Sequence, residues 1–266
     1  MDKVLLSVAP VSASDTHIDP KKIAEDVIAC EKAGAGMVHL HVRDAQGKLT
    51  PNLEVFRETI ERIREKSNIV IEASTGGVSN LTIQERCAPL YYDKVECASL
   101  NVGSVNLGTA VYQNPIDEVR FCVQEIIKNK KTPEVEVFEL GMIHTTVQLY
   151  QEFSIPDPLL FSIVLGHEGA APATVEALIA MRGFIPGNML WGITHAHRVN
   201  NDIICAAVGM GAKTIRVGFE DSNYMDAGMQ SETNAPIVAH FTKLLESMGK
   251  SPMTPDEARE TFRIGR

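Results

Sequence analysis

Short apolar, β-branched runs recur along this chain, separated by segments whose apolar residues are spaced three and four apart. The runs predict eight strands, over 3–10, 37–42, 69–74, 94–99, 135–140, 160–165, 189–194 and 213–219. Ile23, Ala24, Val27 and Ile28 mark one intervening helix, and Val55, Ile60 and Ile63 another. Asp19-Pro20 reads as an N-cap followed by proline in the first helical turn. Eight strand–helix alternations predict an α/β fold, a (β/α)₈ barrel forming one domain over 1–266. A doubly wound open sheet is the alternative, but no strand is followed by G-x-G-x-x-G. The segment after Asn101 reads as a longer loop. Residues 249–266 read as a C-terminal extension packed on the outside.

Within this pattern one run stands out. His39 and His41 lie two apart in an apolar stretch, so a strand projects both imidazoles from one face and Val38, Leu40 and Val42 from the other. In a barrel, functional groups gather at the C-terminal strand ends. The eighth strand brings Arg216, Gly218 and Glu220 to one face and Ile215, Val217 and Phe219 to the other. The apolar set suits packing under helices, which sends the polar set inward, where charge must be paired or liganded. Two histidines and Glu220 make an open three-ligand site. Zinc is the default, and Fe(II) or Mn(II) suits the same donors. His195-Ala196-His197 after the seventh strand is a rival pair that Glu220 could equally join, with His197 falling where strand passes into loop. His144 and His167 also follow strands and read as scaffold or substrate contacts.

Other strand ends carry further groups. Ser74-Thr75-Gly76-Gly77 offers hydroxyls and backbone amides to a carboxylate or phosphate. Ser99 to Gly103, including Asn101, could form a second small-residue nest. Of Glu136 and Glu139 on the fifth strand, Glu139 stands nearer its end and is expected to face the site. Asp221 could serve as a general base, held ionised and oriented by Arg216.

Composition narrows the classes. A net charge of −9 argues against nucleic-acid binding. Hydrophobic residues make up 44%, enough for a sizeable core. Five scattered cysteines without C-x-x-C fit reduced thiols in a cytoplasmic protein. No run reaches membrane-spanning length, and no signal-peptide core is evident.

Taken together, A-G-A-G-M-V-H-L-H-V-R-D at 33–44, S-T-G-G at 74–77, P-E-V-E-V-F-E at 133–139, G-A-A-P-A-T at 169–174 and I-R-V-G-F-E-D-S at 215–222 resemble the β-keto acid cleavage enzymes. The resemblance runs almost the whole length, and its founding activity is 3-keto-5-aminohexanoate cleavage. It implies zinc on His39, His41 and Glu220, which decides against the rival pair. It implies an Arg216–Asp221 catalytic dyad, a carboxylate site at Ser74 and Gly77, a further active-site carboxylate at Glu139, and a homotetramer. The implied reaction condenses a β-keto acid with acetyl-CoA, giving acetoacetate and a new acyl-CoA. Asn101 and Gly103 fall in the substrate region. Where relatives read T-G-A and then a specificity residue, this chain reads Val11-Ser12-Ala13-Ser14, which puts Ser14 at the substrate's distal end, with Asp15 beside it. Val102 replaces a threonine common in relatives. A metal-dependent aldolase or hydrolase acting without CoA, and a non-catalytic small-molecule sensor, are the competing readings.

Overall fold

A computed structural model describes residues 2–265; Met1 and Arg266, the ends of the expected 1–266 domain, lie outside the described residues. Its strands β1 (Asp2–Val8), β2 (Met37–Leu40), β3 (Val70–Ala73), β4 (Cys97–Asn101), β5 (Thr132–Val137), β6 (Leu160–Leu165), β7 (Leu190–His195) and β8 (Thr214–Val217) pair in parallel in chain order. Leu5 through Val8 of β1 pair with Thr214 through Val217 of β8, which closes the sheet into a barrel. Closure excludes the open-sheet alternative and establishes the (β/α)₈ fold.

Helices α1 (Pro20–Ala33), α2 (Glu54–Arg64), α3 (Ile83–Arg86), α4 (Ile116–Lys128), α5 (Leu140–Phe153), α6 (Val175–Phe184), α7 (Asp202–Gly209) and α8 (Asn234–Ser247) follow the strands in turn. The cap anticipated for α1 is present: Asp19 accepts from the Lys21 and Lys22 amides, and Pro20 opens the helix. Val4, Leu6, Val8, Val38, Leu40, Ile215 and Val217 point outward and are buried under the helices. Their period-two partners fill the barrel.

That interior has two layers. The lower one is apolar: Leu5, Met37, Val70, Cys97 and Leu160 pack with Met253, Ala258, Phe262 and Ile264 of the C-terminal tail. The tail is therefore not an outer appendage. Lys250–Pro252 (β9) adds in parallel to the lower end of β1, and α9 (Pro255–Phe262) closes the barrel floor. The reason is hydrophobic. An open floor would leave apolar side chains in water, at roughly 25 cal/mol for each Å² exposed. The upper layer is polar, with Ser7, His39, Glu72, Glu136, Thr194 and Arg216 all buried.

Three local departures shape the site. β5 runs over Thr132–Val137, earlier than the expected 135–140, because α5 already begins at Leu140. The loop after Asn101 folds into an antiparallel hairpin, Val105–Leu107 with Ala110–Tyr112. β8 stops at Val217, where Gly218 turns the chain at φ +120°. A Cβ at Gly218 would stand 2.5 Å from the Ala9 carbonyl oxygen, so only glycine fits. The Asp221 and Ser222 amides both donate to the Gly218 carbonyl. In a continuing strand Glu220 and Asp221 would face opposite ways; this turn brings both to the barrel mouth.

Candidate active site

His39 of β2 and His41, just past its end, converge on one side of the barrel mouth. His41 Nε2 lies 3.3 Å and His39 Nε2 3.9 Å from Glu220 Oε1. Donor atoms of these three residues lie within 4.8 Å of one another, and no other such trio occurs among the described residues. On β3, opposite His39, stands Glu72, whose Oε2 is 2.7 Å from His39 Nδ1. That contact holds the ring in place, and where Glu72 accepts from Nδ1 the Nε2 lone pair is left facing Glu220.

Beside this trio Arg216 is buried among carboxyl groups. Its Nε and Nη2 donate to Asp221 Oδ2 and Oδ1 at 2.9 and 2.7 Å. Nη1 donates to Glu136 Oε1 at 2.8 Å, and Nη2 lies 3.4 Å from Glu220 Oε1. The fork on Asp221 is the strong bidentate geometry. Burial alone would lower the Arg216 pKa, but Asp221, Glu220 and Glu136 raise it well above its ordinary value. Burial alone would raise Glu220, but His41, Arg216 and His39 hold it well below the usual carboxylate range. Three carboxyl groups around one guanidinium leave an excess of negative charge. Two imidazole lone pairs face the same point. That donor set and charge fit a divalent cation with an open position.

The trio and the Arg216–Asp221 pair line a cavity of about 700 Å³, whose far wall includes Ser74 and Gly77. Ser74 Oγ accepts the Gly76 amide at 3.2 Å, leaving its own hydrogen to donate inward. Gly77 turns at φ +118°, and a Cβ there would stand 2.5 Å from Leu49 Cδ1 and 3.7 Å from the His41 ring, so the chain passes close to both. Asn101 is buried with both amide atoms unpaired, and its Nδ2 would be 2.8 Å from a Cβ on Gly76. Gly103 is not part of this wall. It faces Met142, and its carbonyl accepts from Asn114, because the chain has already turned into the hairpin. Ser14 is exposed and hydrogen-bonded to Ser12; Ala13 faces the cavity instead.

Glu139 also requires correction. It is exposed at the N-terminus of α5, and Glu136 takes the inward place. The alternation Glu134-Val135-Glu136-Val137 carried that signal: valines under the helices put glutamates inside. The same parity on β3 puts Glu72 in line with Ser74. Tyr112 of the hairpin was not anticipated. Its hydroxyl lies against Gly76, where any side chain would collide with it. The rival histidines do not form a site. His195 is buried with Nδ1 unpaired, and burial, with Arg198 and His197, pulls it down to about 4. His197 adopts φ +56° and stacks edge-on with His167, which also lines the cavity. His144 is exposed on α5.

Residues 7–264 match the family described as beta-keto acid cleavage enzyme. The chain is 33% identical to the 3-keto-5-aminohexanoate cleavage enzyme of Fusobacterium nucleatum subsp. nucleatum, covering 99% of each chain. It is 27% identical to the 3,5-dioxohexanoate:acetyl-CoA acetone transferase of Paraburkholderia graminis, over 98% of this chain and 96% of that one. Among solved structures, the complex of ObcA with oxaloacetate superposes with a TM-score of 0.78 at 20% identity. That likeness covers 94% of this chain and 67% of the longer ObcA chain, and it bears on the fold. With the barrel, the trio and a match of this extent in hand, the chain belongs to the beta-keto acid cleavage enzyme family.

Proposed function

We propose that this enzyme condenses a β-keto acid with acetyl-CoA and releases acetoacetate and a new acyl-CoA. The observation that carries the reading is the single guanidinium of Arg216, which holds Asp221 by a bidentate fork and also touches Glu220 of the histidine trio. A base and an electrophile-binding centre are thereby locked at one point. His39, His41 and Glu220 would hold the cation, zinc in this reading. When bound, it supplies Lewis-acid polarisation of the keto oxygen.

The chain's own groups do the rest. Ser74, with the backbone at Gly77, receives the keto acid's carboxylate, and the unpaired amide of Asn101 backs that loop. Asp221 takes a proton from the acetyl methyl group. Each of its oxygens accepts one N–H from Arg216, so each keeps a lone pair for that proton. Glu136 anchors the other edge of the guanidinium, so the fork cannot swing as Asp221 changes charge. Methyl protons of a thioester are weakly acidic, so the carbanion requires strong electrostatic support in a site shielded from water.

At the distal end, Ala13 faces the cavity and Asp15 is turned to the Ser12 amide at 3.0 Å. Glu168, at the rim, is exposed. A homotetramer and a cytoplasmic setting belong to the same reading. Exposed Val175, Ile179 and Phe184 on α6 support burial between copies, and five free cysteines support a reducing compartment.

The test is a panel of β-keto acids incubated with and without acetyl-CoA, read as acetoacetate released. Product that requires both reactants is expected. Keto acid consumed without acetyl-CoA would install the aldolase or hydrolase reading. A silent panel would leave a small-molecule sensor. Among the described residues no helix is long and apolar enough to cross a membrane.

A further inference from the structure

One oxygen of Glu72 lacks a donor. Oε2 holds His39 Nδ1 at 2.7 Å, while Oε1 is buried and reached by no N–H or hydroxyl. Its neighbour is a second acid: the carboxyl groups of Glu72 and Glu134 share a hydrogen bond. Parity explains the meeting. Glu134 and Glu136 both point inward from β5, and Glu134 is the lower of the two, lining with Glu72 and Cys97 a small void above the barrel floor. We infer that Glu134 is a neutral carboxylic acid that donates its hydrogen to Glu72 Oε1. It thereby stands at the back of a Glu134–Glu72–His39 chain that orients the His39 ring toward the cation site. Glu134 is a positioning residue, and the inference rests on the cation reading above.

Charge and space select the protonated form. Two buried carboxyl groups in contact cannot both ionise, so one member of the pair must carry a proton. Glu134 is the member without another partner, since its carboxyl group bonds to Glu72 alone. The nearby cation, Arg216, is already committed to Asp221 and Glu136. Burial first, then Glu72 and Glu136, hold Glu134 well above the usual carboxylate range. Cys97 faces the pair from β4, and burial with Glu72 keeps it a thiol. No water can bridge instead. The void measures about 10 Å³, and Phe262 and Ile264 of the C-terminal tail close it from below. An acid in this place fixes Glu72 without adding negative charge beneath Glu136, Glu220 and Asp221. With Oε1 released, Glu72 would be free to rotate, and the His39 ring would lose its support.

Competition for zinc against a chelator reads the positioning. Glu134→Leu removes the donor and should weaken zinc by about 10-fold or more, whereas Glu134→Gln, which puts an N–H in the same place, should stay within about threefold of wild type. In a Glu72→Leu background, Glu134→Leu should cost no further affinity, because the chain is already cut; a merely structural role would cost the same factor in both backgrounds. Infrared spectra read the proton itself and serve if the leucine variants fail to fold. Glu72 gives up its proton near 8. At about pH 9 the zinc-loaded wild type should therefore still show the C=O stretch of one protonated carboxyl group, and Glu134→Gln should lack it. A band absent from the wild type, or kept in Glu134→Gln, overturns the neutral acid. Zinc held equally by wild type and Glu134→Leu, or lost as badly in Glu134→Gln as in Glu134→Leu, overturns the positioning role and leaves the cation reading standing. A wild type that binds no zinc overturns the cation reading and this role together.

Discussion

The chain holds two H-x-H sequences at two strand ends of one barrel, after β2 and after β7, and they fold to opposite outcomes. His39 lies in β2 and His41 one residue past its end, without a left-handed turn; both present Nε2 to Glu220, and Glu72 holds the first ring from behind. His195 and His197 have the same spacing. At His197 the backbone swings to φ +56°, which carries the second ring away to stack on His167. Among the described residues neither pairs with a carboxylate. Identical spacing yields a ligand pair only where the backbone does not turn left-handed at the second histidine and a carboxylate arrives from elsewhere. That carboxylate comes from the turn at Gly218, so the site depends on a glycine conformation some 180 residues away in sequence.

The largest effect should separate the two pairs outright. His39→Ala or Glu220→Gln should lose the bound cation, and turnover should fall by more than about 10³-fold, the equivalent of several kcal/mol of Lewis-acid stabilisation. His195→Ala should retain the cation at full stoichiometry by elemental analysis. The opposite pattern would move the site to β7. Next in size, Asp221→Asn should keep the cation and lower kcat by about 10²- to 10⁴-fold, since it removes a proton acceptor and spares the ligands. Near-normal kcat would remove Asp221 from the base role.

The smallest effect sharpens the contrast between a ring that is held and rings that are not. Glu72→Gln should weaken the cation by about 10- to 100-fold, measured by competition with a chelator. It should also change how stability follows pH. Burial, with Glu136 nearby, pushes Glu72 up to about 8 from 4.5. Between those values the folded state holds a proton that the unfolded chain has released. Stability of the metal-free wild type should therefore be greater near pH 5 and fall as pH rises through 8. Denaturant midpoints at pH 5 and 8.5 should lie closer together in the variant. Glu134, also raised by burial and by Glu72, leaves part of the slope in place. An unchanged midpoint difference would show that Glu72 is ionised in the fold.

How far the site could be read in advance varies residue by residue. His39, His41 and Arg216 were legible because a period of two assigns a face, and apolar neighbours tell which face meets the helices. Glu136 was legible by the same rule, yet position along the strand pointed to Glu139, which the start of α5 carries out to solvent. Asp221 was legible only as chemistry; strict alternation would have turned it away from Glu220. Ser14 and Gly103 failed because loops carry no period. The tail at 249–266 was misjudged because its apolar residues, Met253, Phe262 and Ile264, are too few to show what they cover.

Alternation along the chain determined eight strands, the barrel they close into, and the identity of the groups lining its mouth, since side-chain parity is a local property of extended backbone. Only the folded molecule decided which histidine pair meets a carboxylate and which glutamate braces Arg216. Those outcomes depend on turns with positive φ and on registers between strands distant in sequence, where steric fit across the barrel selects the arrangement and no local pattern encodes it.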